Sequence, residues 1–166
     1  MIGHHSLKRI ACTILAVTLW VAALPAYAQS NDKVISVDNA DPDMNAAIEQ
    51  ARKGLDKFIV LSKTPPKGTN GYKLKVMVHD GAKVEHFWVT PFHTTKDGFE
   101  GTLANEPEVV TNVTAGQNLK FTRNDISDWG YTKNGRQIGS YTVCVLFKKM
   151  TKEEADFYRN NYGFDC

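Results

Sequence analysis

Tyr72 to His79 alternates without a break, with Tyr72, Leu74, Val76 and Val78 set against Lys73, Lys75, Met77 and His79. A period of two sends one set to each face of a half-buried strand. Asp80-Gly81 follows, a strong signal for a tight hairpin, and Lys83 to Thr90 reads as the return strand. A two-residue turn pairs His79 with Ala82 and Val76 with Glu85. Glu85 then shares the apolar face with Leu74, Phe87 and Val89, while His86 and Trp88 point the other way beside Lys73 and Lys75. A three-residue turn reverses that choice, because a one-residue slip moves every side chain to the other face. The two-residue turn is adopted here. A carboxylate on the apolar face must be paired or protonated. Lys120, Arg123, Arg136 and the backbone amides of the Asn105-Glu106 loop are its candidate partners.

A helix precedes this hairpin. Asp41 is placed to cap it, Pro42 suits the first helical position, and Asp43 lies in the first turn. Met44, Ala47, Ile48, Ala51, Leu55, Phe58 and Ile59 recur at helical spacing up to about Ser62, ahead of Pro65-Pro66. Gly54 weakens the middle of this helix without breaking it. Beyond the hairpin, Pro91 is expected to end the second strand. Phe99–Leu103 and Leu119–Phe121 read as short strands. Val109–Val113 suits a strand or a short helix, and Ser127–Trp129 leads into a further strand. Asn134-Gly135 is a second hairpin signal. Gln137–Lys148, rich in Tyr, Val, Ile and Phe, reads as a long central strand. Thr151-Lys152-Glu153-Glu154 forms a capping box for a last helix that stops at Gly163. The expected fold is α+β. A bent antiparallel sheet, in its limiting form part of a small barrel, is packed by the N-terminal helix and closed by a short C-terminal one.

The start of the chain has a different character. Lys8 and Arg9 precede an apolar run from Ile10 to Leu24, and Ala26-Tyr27-Ala28 is a small-x-small cleavage site. This is the pattern of a signal peptide, and the run is short for a membrane span. The expected organisation is a signal peptide over 1–28, a flexible lead-in over 29–40, and one domain over 41–166. Cleavage before Gln29 leaves a periplasmic or secreted protein with no stable membrane anchor. Of 20 Lys and Arg, two leave with the leader, and all 18 Asp and Glu stay. The mature charge is therefore near zero with histidines neutral, which argues against nucleic acid as a partner. Cys12 leaves as well, and the remaining Cys144 and Cys166 are expected to form a disulfide in an oxidising compartment.

Catalytic and metal chemistry find little footing. His79, His86 and His93 are evenly spaced, but a turn and a proline separate them, and no His-Glu-x-x-His or Cys-x-x-Cys is present. No metal or cofactor is expected. Cys144 has a disulfide partner and sits among apolar residues, so it is a poor nucleophile. There is no Gly-x-Ser-x-Gly elbow. Glu85, Glu106, Asp125 and Asp128 can converge on one groove, as glycoside hydrolysis requires. Asp125 equally suits a turn cap, and Asp128 an anchor for a backbone amide. Aromatic residues carry more weight, since Trp and Tyr dominate binding hot spots. Phe87 and Phe121 are assigned to the core. Trp88 and Trp129 neighbour polar residues and are expected to be exposed.

Several stretches together resemble the YegJ-like family of bacterial proteins, a domain of unknown function. They are Asp41-Pro42-Asp43-Met44-Asn45-x-Ala47, Glu85-His86-Phe87-Trp88-Val89, Gly101-x-Leu103-x-Asn105-Glu106-Pro107, Ile126-Ser127-Asp128-Trp129-x-Tyr131 and Gly139-x-Tyr141-Thr142. The resemblance runs from about Val37 to Phe147. It implies one compact domain in a family with exported members, and transfers no catalytic residue. The functional expectation is a non-catalytic periplasmic module, inhibitor- or immunity-like, that binds another periplasmic protein or envelope component. Trp88, Trp129, Tyr131, His86, Glu106 and Asp128 are its candidate contacts, with Glu85, Asn105 and Asp125 structural. The alternative is a small cell-envelope hydrolase using paired carboxylates.

Overall fold

The computed structural model describes residues 41–166. The leader and lead-in expectations lie outside these residues. The fold is α+β. Helix α1 (Pro42–Lys63) is followed by β1 (Thr69–Asp80), β2 (Lys83–Thr94), β3 (Phe99–Leu103), β4 (Asn118–Phe121), a short 3-10 turn (Arg123–Asp125), β5 (Ile126–Lys133) and β6 (Arg136–Gly139). Helices α2 (Tyr141–Phe147) and α3 (Lys152–Tyr162) complete the chain. All strand pairs are antiparallel, in the order β4-β3-β2-β1-β5-β6. The sheet is therefore open and does not close into a barrel.

Helix α1 starts and stops where its sequence chemistry requires. The Asp41 side chain accepts a hydrogen bond from the Met44 amide at 3.0 Å, satisfying one of the donors that a helix start leaves open. Ala51, Leu55 and Phe58 are buried against Leu74, Val76, Val89, Phe99, Phe121, Ile126 and Trp129. Gly54 has a definite purpose here. A Cβ at this position would lie 2.7 Å from the Trp129 ring, so the missing side chain lets the helix lie flat on that indole.

The central hairpin has a two-residue connection, one position later than the Asp80-Gly81 expectation. Asp80 pairs with Lys83, so Gly81 and Ala82 make the turn, and Glu85 lies opposite Val78 rather than Val76. Gly81 has φ +61° at the first central position, where a type II′ hairpin wants glycine. The parity of the strands is unchanged by this shift. Glu85 thus faces the same side as Leu74, Val76, Phe87 and Val89. Pro91 does not end β2. The strand runs on to Thr94 because a register shift between Val89 and Phe92 accommodates the proline.

Two other expectations are overturned. Val109–Val113 is neither strand nor helix. It lies in the long connection over 104–117, with Val110 and Val113 buried against Val78, Phe87 and Leu103. Gln137–Lys148 is not a long central strand. β6 is a short edge strand that ends at Gly139, where φ is +79°, and Ser140 at +55° turns the chain into α2. Burial of Thr142 and Val145, and of Phe147 against Tyr158 and Phe164, overrides the strand preference of its residues. Cys144 on α2 is joined to Cys166 with Cα atoms 5.3 Å apart. Helix α3 has the expected capping box between Thr151 and Glu154, and Gly163 closes it with φ +75°.

Candidate binding face

The sheet has a helix-covered face and a second face on which β1 and β2 place their polar sets. Lys75 pairs directly with Trp88, and Met77 with His86. The Lys73 ammonium sits 4.5 Å from the centre of the Trp88 ring and the Lys75 ammonium 5.4 Å from it. Trp88 is half-buried. Its backbone is fixed from the β3 side, where Ala104 donates to the Trp88 carbonyl at 2.8 Å. The Asn105 side chain accepts from the Trp88 amide at 3.0 Å. Asn105 thereby stands in for a missing ladder carbonyl where the β2–β3 register is irregular.

His86 lies beside Trp88 on this face. Its Nδ1 is 2.9 Å from the Ser127 hydroxyl, which also donates to the Lys75 carbonyl at 3.2 Å. A hydroxyl has one proton. With that proton on Lys75, His86 donates from Nδ1 and keeps Nε2 as its acceptor. The residue as a whole is exposed, yet its ring is packed closely enough that desolvation lowers its pKa to about 4, helped by the positive charge of Lys75, His79 and Arg52. It is therefore neutral near pH 7. The pair does not make a nucleophile, because Ser127 is 0 % exposed and no substrate can reach its oxygen.

Asp128 is also 0 % exposed. One of its oxygens accepts from the Thr142 amide and the Thr142 hydroxyl, both at 2.7 Å, and the other from the Trp129 amide at 2.8 Å. Ser140 makes no side-chain cap for α2, so Asp128 performs that task from a neighbouring strand. Lys75 donates to the Thr142 hydroxyl at 3.3 Å, linking the Trp88 platform to this network. Desolvation raises the Asp128 pKa, and the bonds from Thr142, the Lys75 charge and the Trp129 amide oppose that rise.

The other anticipated residues lie elsewhere. Trp129 is buried, not exposed. Its indole N–H donates to the Ala51 carbonyl at 2.7 Å and its ring stacks on Phe58 at 4.9 Å. Strand alternation sets Asp128 toward one face and Trp129 toward the other, and the bulge between Lys75 and Val76 in the β1–β5 pairing lets Ile126, three residues earlier, share the Trp129 side. Tyr131 follows Trp129 to the helix side, where it stacks on Tyr72 at 4.9 Å and burial raises its pKa. Glu106 is exposed on the connection after β3. Glu85 is 5 % exposed, and its carboxylate accepts from the amides of Glu108, Val109 and Val110 at 2.8–3.2 Å. These donors come from the connection it was expected to use, a few residues beyond Asn105-Glu106. Asp125 accepts from the amide and hydroxyl of Thr122, both at 2.8 Å. The candidate contacts thus divide, with Trp88, His86 and Asp128 on one face and Trp129 and Tyr131 under the helix.

Lys73, Lys75, Ser127 and Thr142 belong to the first group and were not among the anticipated contacts. The two lysines were readable from strand alternation, which already set them beside Trp88. Thr142 was not, because its segment read as a strand. Among the described residues, no group of three or more His, Cys, Asp and Glu is placed to hold a metal ion. No described helix is long and apolar enough to cross a membrane.

Comparison with known proteins places this arrangement among uncharacterised relatives. The chain is 35% identical over 147 residues to "Uncharacterized protein YegJ" of Escherichia coli (strain K12), an alignment covering 88% of this chain and 94% of that protein. It is 30% identical over 137 residues to "Putative ankyrin repeat protein NMB1133/NMB1171" of Neisseria meningitidis serogroup B, covering 78% of this chain but only 54% of that relative. No solved structure matches. A family model described as "Uncharacterized protein conserved in bacteria (DUF2314)" matches residues 41–166, all of the described fold, and the chain belongs to that family.

Proposed function

We propose that this is an exported, non-catalytic protein-binding module, inhibitor- or immunity-like, that engages its partner through the face around Trp88, opposite α1. The observation that carries the reading is a half-buried tryptophan whose backbone amide and carbonyl are both held by Ala104-Asn105 and whose ring is flanked by two ammonium groups. A preorganised aromatic with a polar surround is how interface hot spots are built. The ankyrin-repeat name of one relative is in keeping with a binding role, since stacked repeats form extended binding surfaces. The paired-carboxylate alternative draws no support from the geometry. Glu85 is committed to three amides under the connection, Asp125 to Thr122, and Asp128 to α2. The leader pattern and the Cys144–Cys166 bond support export, because disulfides persist in oxidising compartments.

Site-specific photo-crosslinking in envelope extract tests the reading. A crosslinker replacing His79, exposed on the Trp88 face, should yield a discrete adduct. One replacing Val60, 70% exposed on α1, should not. An adduct from position 60 alone, or turnover of an envelope glycan or peptide by the purified protein, would overturn it.

A further inference from the structure

We propose that the Cys144–Cys166 disulfide is a redox latch. A dithiol donor that opens it frees the tail over 163–166 from the edge of β6 and leaves the rest of the fold standing. This device is independent of the Trp88 face and of what binds there.

The tail lies along the outer edge of the sheet. β6 is the last strand in the order and pairs with β5 on one side. Alternate residues of such a strand turn their backbone groups outward. Gln137 is one of them, and its amide donates to the Gly163 carbonyl at 2.9 Å. The approach is close, since a Cβ at Gly163 would run into the Gly135 carbonyl. Arg136 holds Asp165 through an Nε hydrogen bond of 2.9 Å, and Phe164 sets its ring edge-on to Phe147 at 5.3 Å. Arg159 donates to the Cys166 carbonyl at 2.6 Å. An uncovered strand edge is a template for pairing with another chain, and a segment laid over it prevents that.

Little besides the disulfide fastens this cover. Arg136 and Asp165 have side chains 51% and 61% exposed, and an ion pair so wet is worth little. Phe164 is half-buried. Chain ends stay ordered only where something ties them down. Here the tie is the bond to α2, 22 residues back. The two helices have anchors of their own. Thr142 is bound to Asp128 and Val145 is buried, while α3 has its Thr151–Glu154 box and a buried Ala155. Opening the bond therefore withdraws support from the tail and not from the helices. Both cysteines are half-buried rather than sealed in the core, which leaves them open to an attacking thiolate.

The chemistry is thiol–disulfide exchange. A donor thiolate attacks Cys166 Sγ, the Sγ–Sγ bond breaks, and Cys144 leaves as a thiolate. The donor's second thiolate then attacks the donor sulfur of the mixed disulfide and expels Cys166 as a thiolate. The donor ends as a disulfide, having given up two electrons, and its two thiol protons end on Cys144 and Cys166. The reverse route fastens the tail again. The open state bares the Gln137 edge amide and the Phe147 ring.

Amide hydrogen exchange of the full chain, with and without dithiothreitol, tests this. Reduction should speed exchange at Gln137 by about tenfold or more. Trp129 and Thr142, whose amides donate to Asp128, should keep the rates of the oxidised protein. The Cys144→Ser/Cys166→Ser double variant should exchange like the reduced protein and ignore dithiothreitol. Unchanged exchange at Gln137 on reduction would overturn the proposal, because the tail would then stay seated without the bond. Faster exchange at Trp129 and Thr142 as well, or a double variant that does not fold, would overturn it by showing that the bond holds the whole domain. A bond that dithiothreitol opens only in urea would overturn it too, since no donor would reach it in the folded protein.

Discussion

The two faces of this sheet each carry a tryptophan, and the two have opposite roles. Trp129 is 7% exposed, lies over Gly54 with its ring on Phe58, and spends its N–H on the Ala51 carbonyl. Trp88 is half-buried and has the Lys73 and Lys75 ammonium groups at its ring. Both have polar neighbours in the sequence. What separates them is strand parity and the cover that α1 gives to the Trp129 side. Each face also has its own buried carboxylate. Glu85 holds the connection over 104–117 onto the helix side, and Asp128 holds α2 onto the sheet from the other. An acid beside an aromatic is thus no mark of a functional site. In this fold it marks places where a backbone segment without regular partners needs an acceptor.

The largest effect expected from this contrast is on Trp129. Trp129→Ala removes a stacked core ring together with its hydrogen bond to the Ala51 carbonyl, and should cost about 4 kcal/mol in urea unfolding. A loss below about 1 kcal/mol would mean that the helix does not rest on this ring. Glu85→Gln comes next. It replaces a charged acceptor of three amides with a group that carries two donors of its own. It should lower stability by about 2 kcal/mol, and faster amide hydrogen exchange at Glu108, Val109 and Val110 would locate the damage. Unchanged exchange at those amides would show that Glu85 does not anchor the connection.

These contrasts were only partly legible beforehand. Turn chemistry was readable, since Asn134-Gly135 makes its hairpin with Lys133 paired to Arg136, and the Thr151–Glu154 box starts α3. The parity of the central hairpin was readable too, even though its turn is one residue later, because Leu74, Val76, Phe87 and Val89 tolerate only one side. Trp129 was not, because the bulge that precedes it leaves no local signature. The helix at Tyr141–Phe147 was also hidden. Its residues prefer strands, and its cap comes from Asp128 on β5, which no sequence window covering the helix contains.

The Trp88 face itself carries two groups whose pH responses have opposite signs. His86 falls from 6.5 to about 4 in the folded protein. Between those values the unfolded chain binds a proton that the folded chain refuses. This contribution to stability is full above pH 6.5 and is lost as pH falls toward 4. Asp128 is raised by burial, so the folded state keeps its proton longer than the unfolded one. Its contribution favours folding in acid and fades as pH rises through the folded value. His86→Gln should therefore flatten the decline in urea midpoint below pH 6.5, and Asp128→Asn should steepen it. Parallel curves for wild type and His86→Gln would show that His86 is not desolvated.

The smallest stability effect should come with the largest functional one, and this pairing is the most direct test. Trp88→Ala should change unfolding free energy by about 1 kcal/mol or less, since the ring is only half-buried and two ammonium groups lie at it. The same variant should lose the adduct from a crosslinker at position 79. Trp129→Phe, folded at reduced stability, should keep it. An adduct that survives Trp88→Ala but disappears in Trp129→Phe would contradict the account, because the partner would then depend on the helix-covered face.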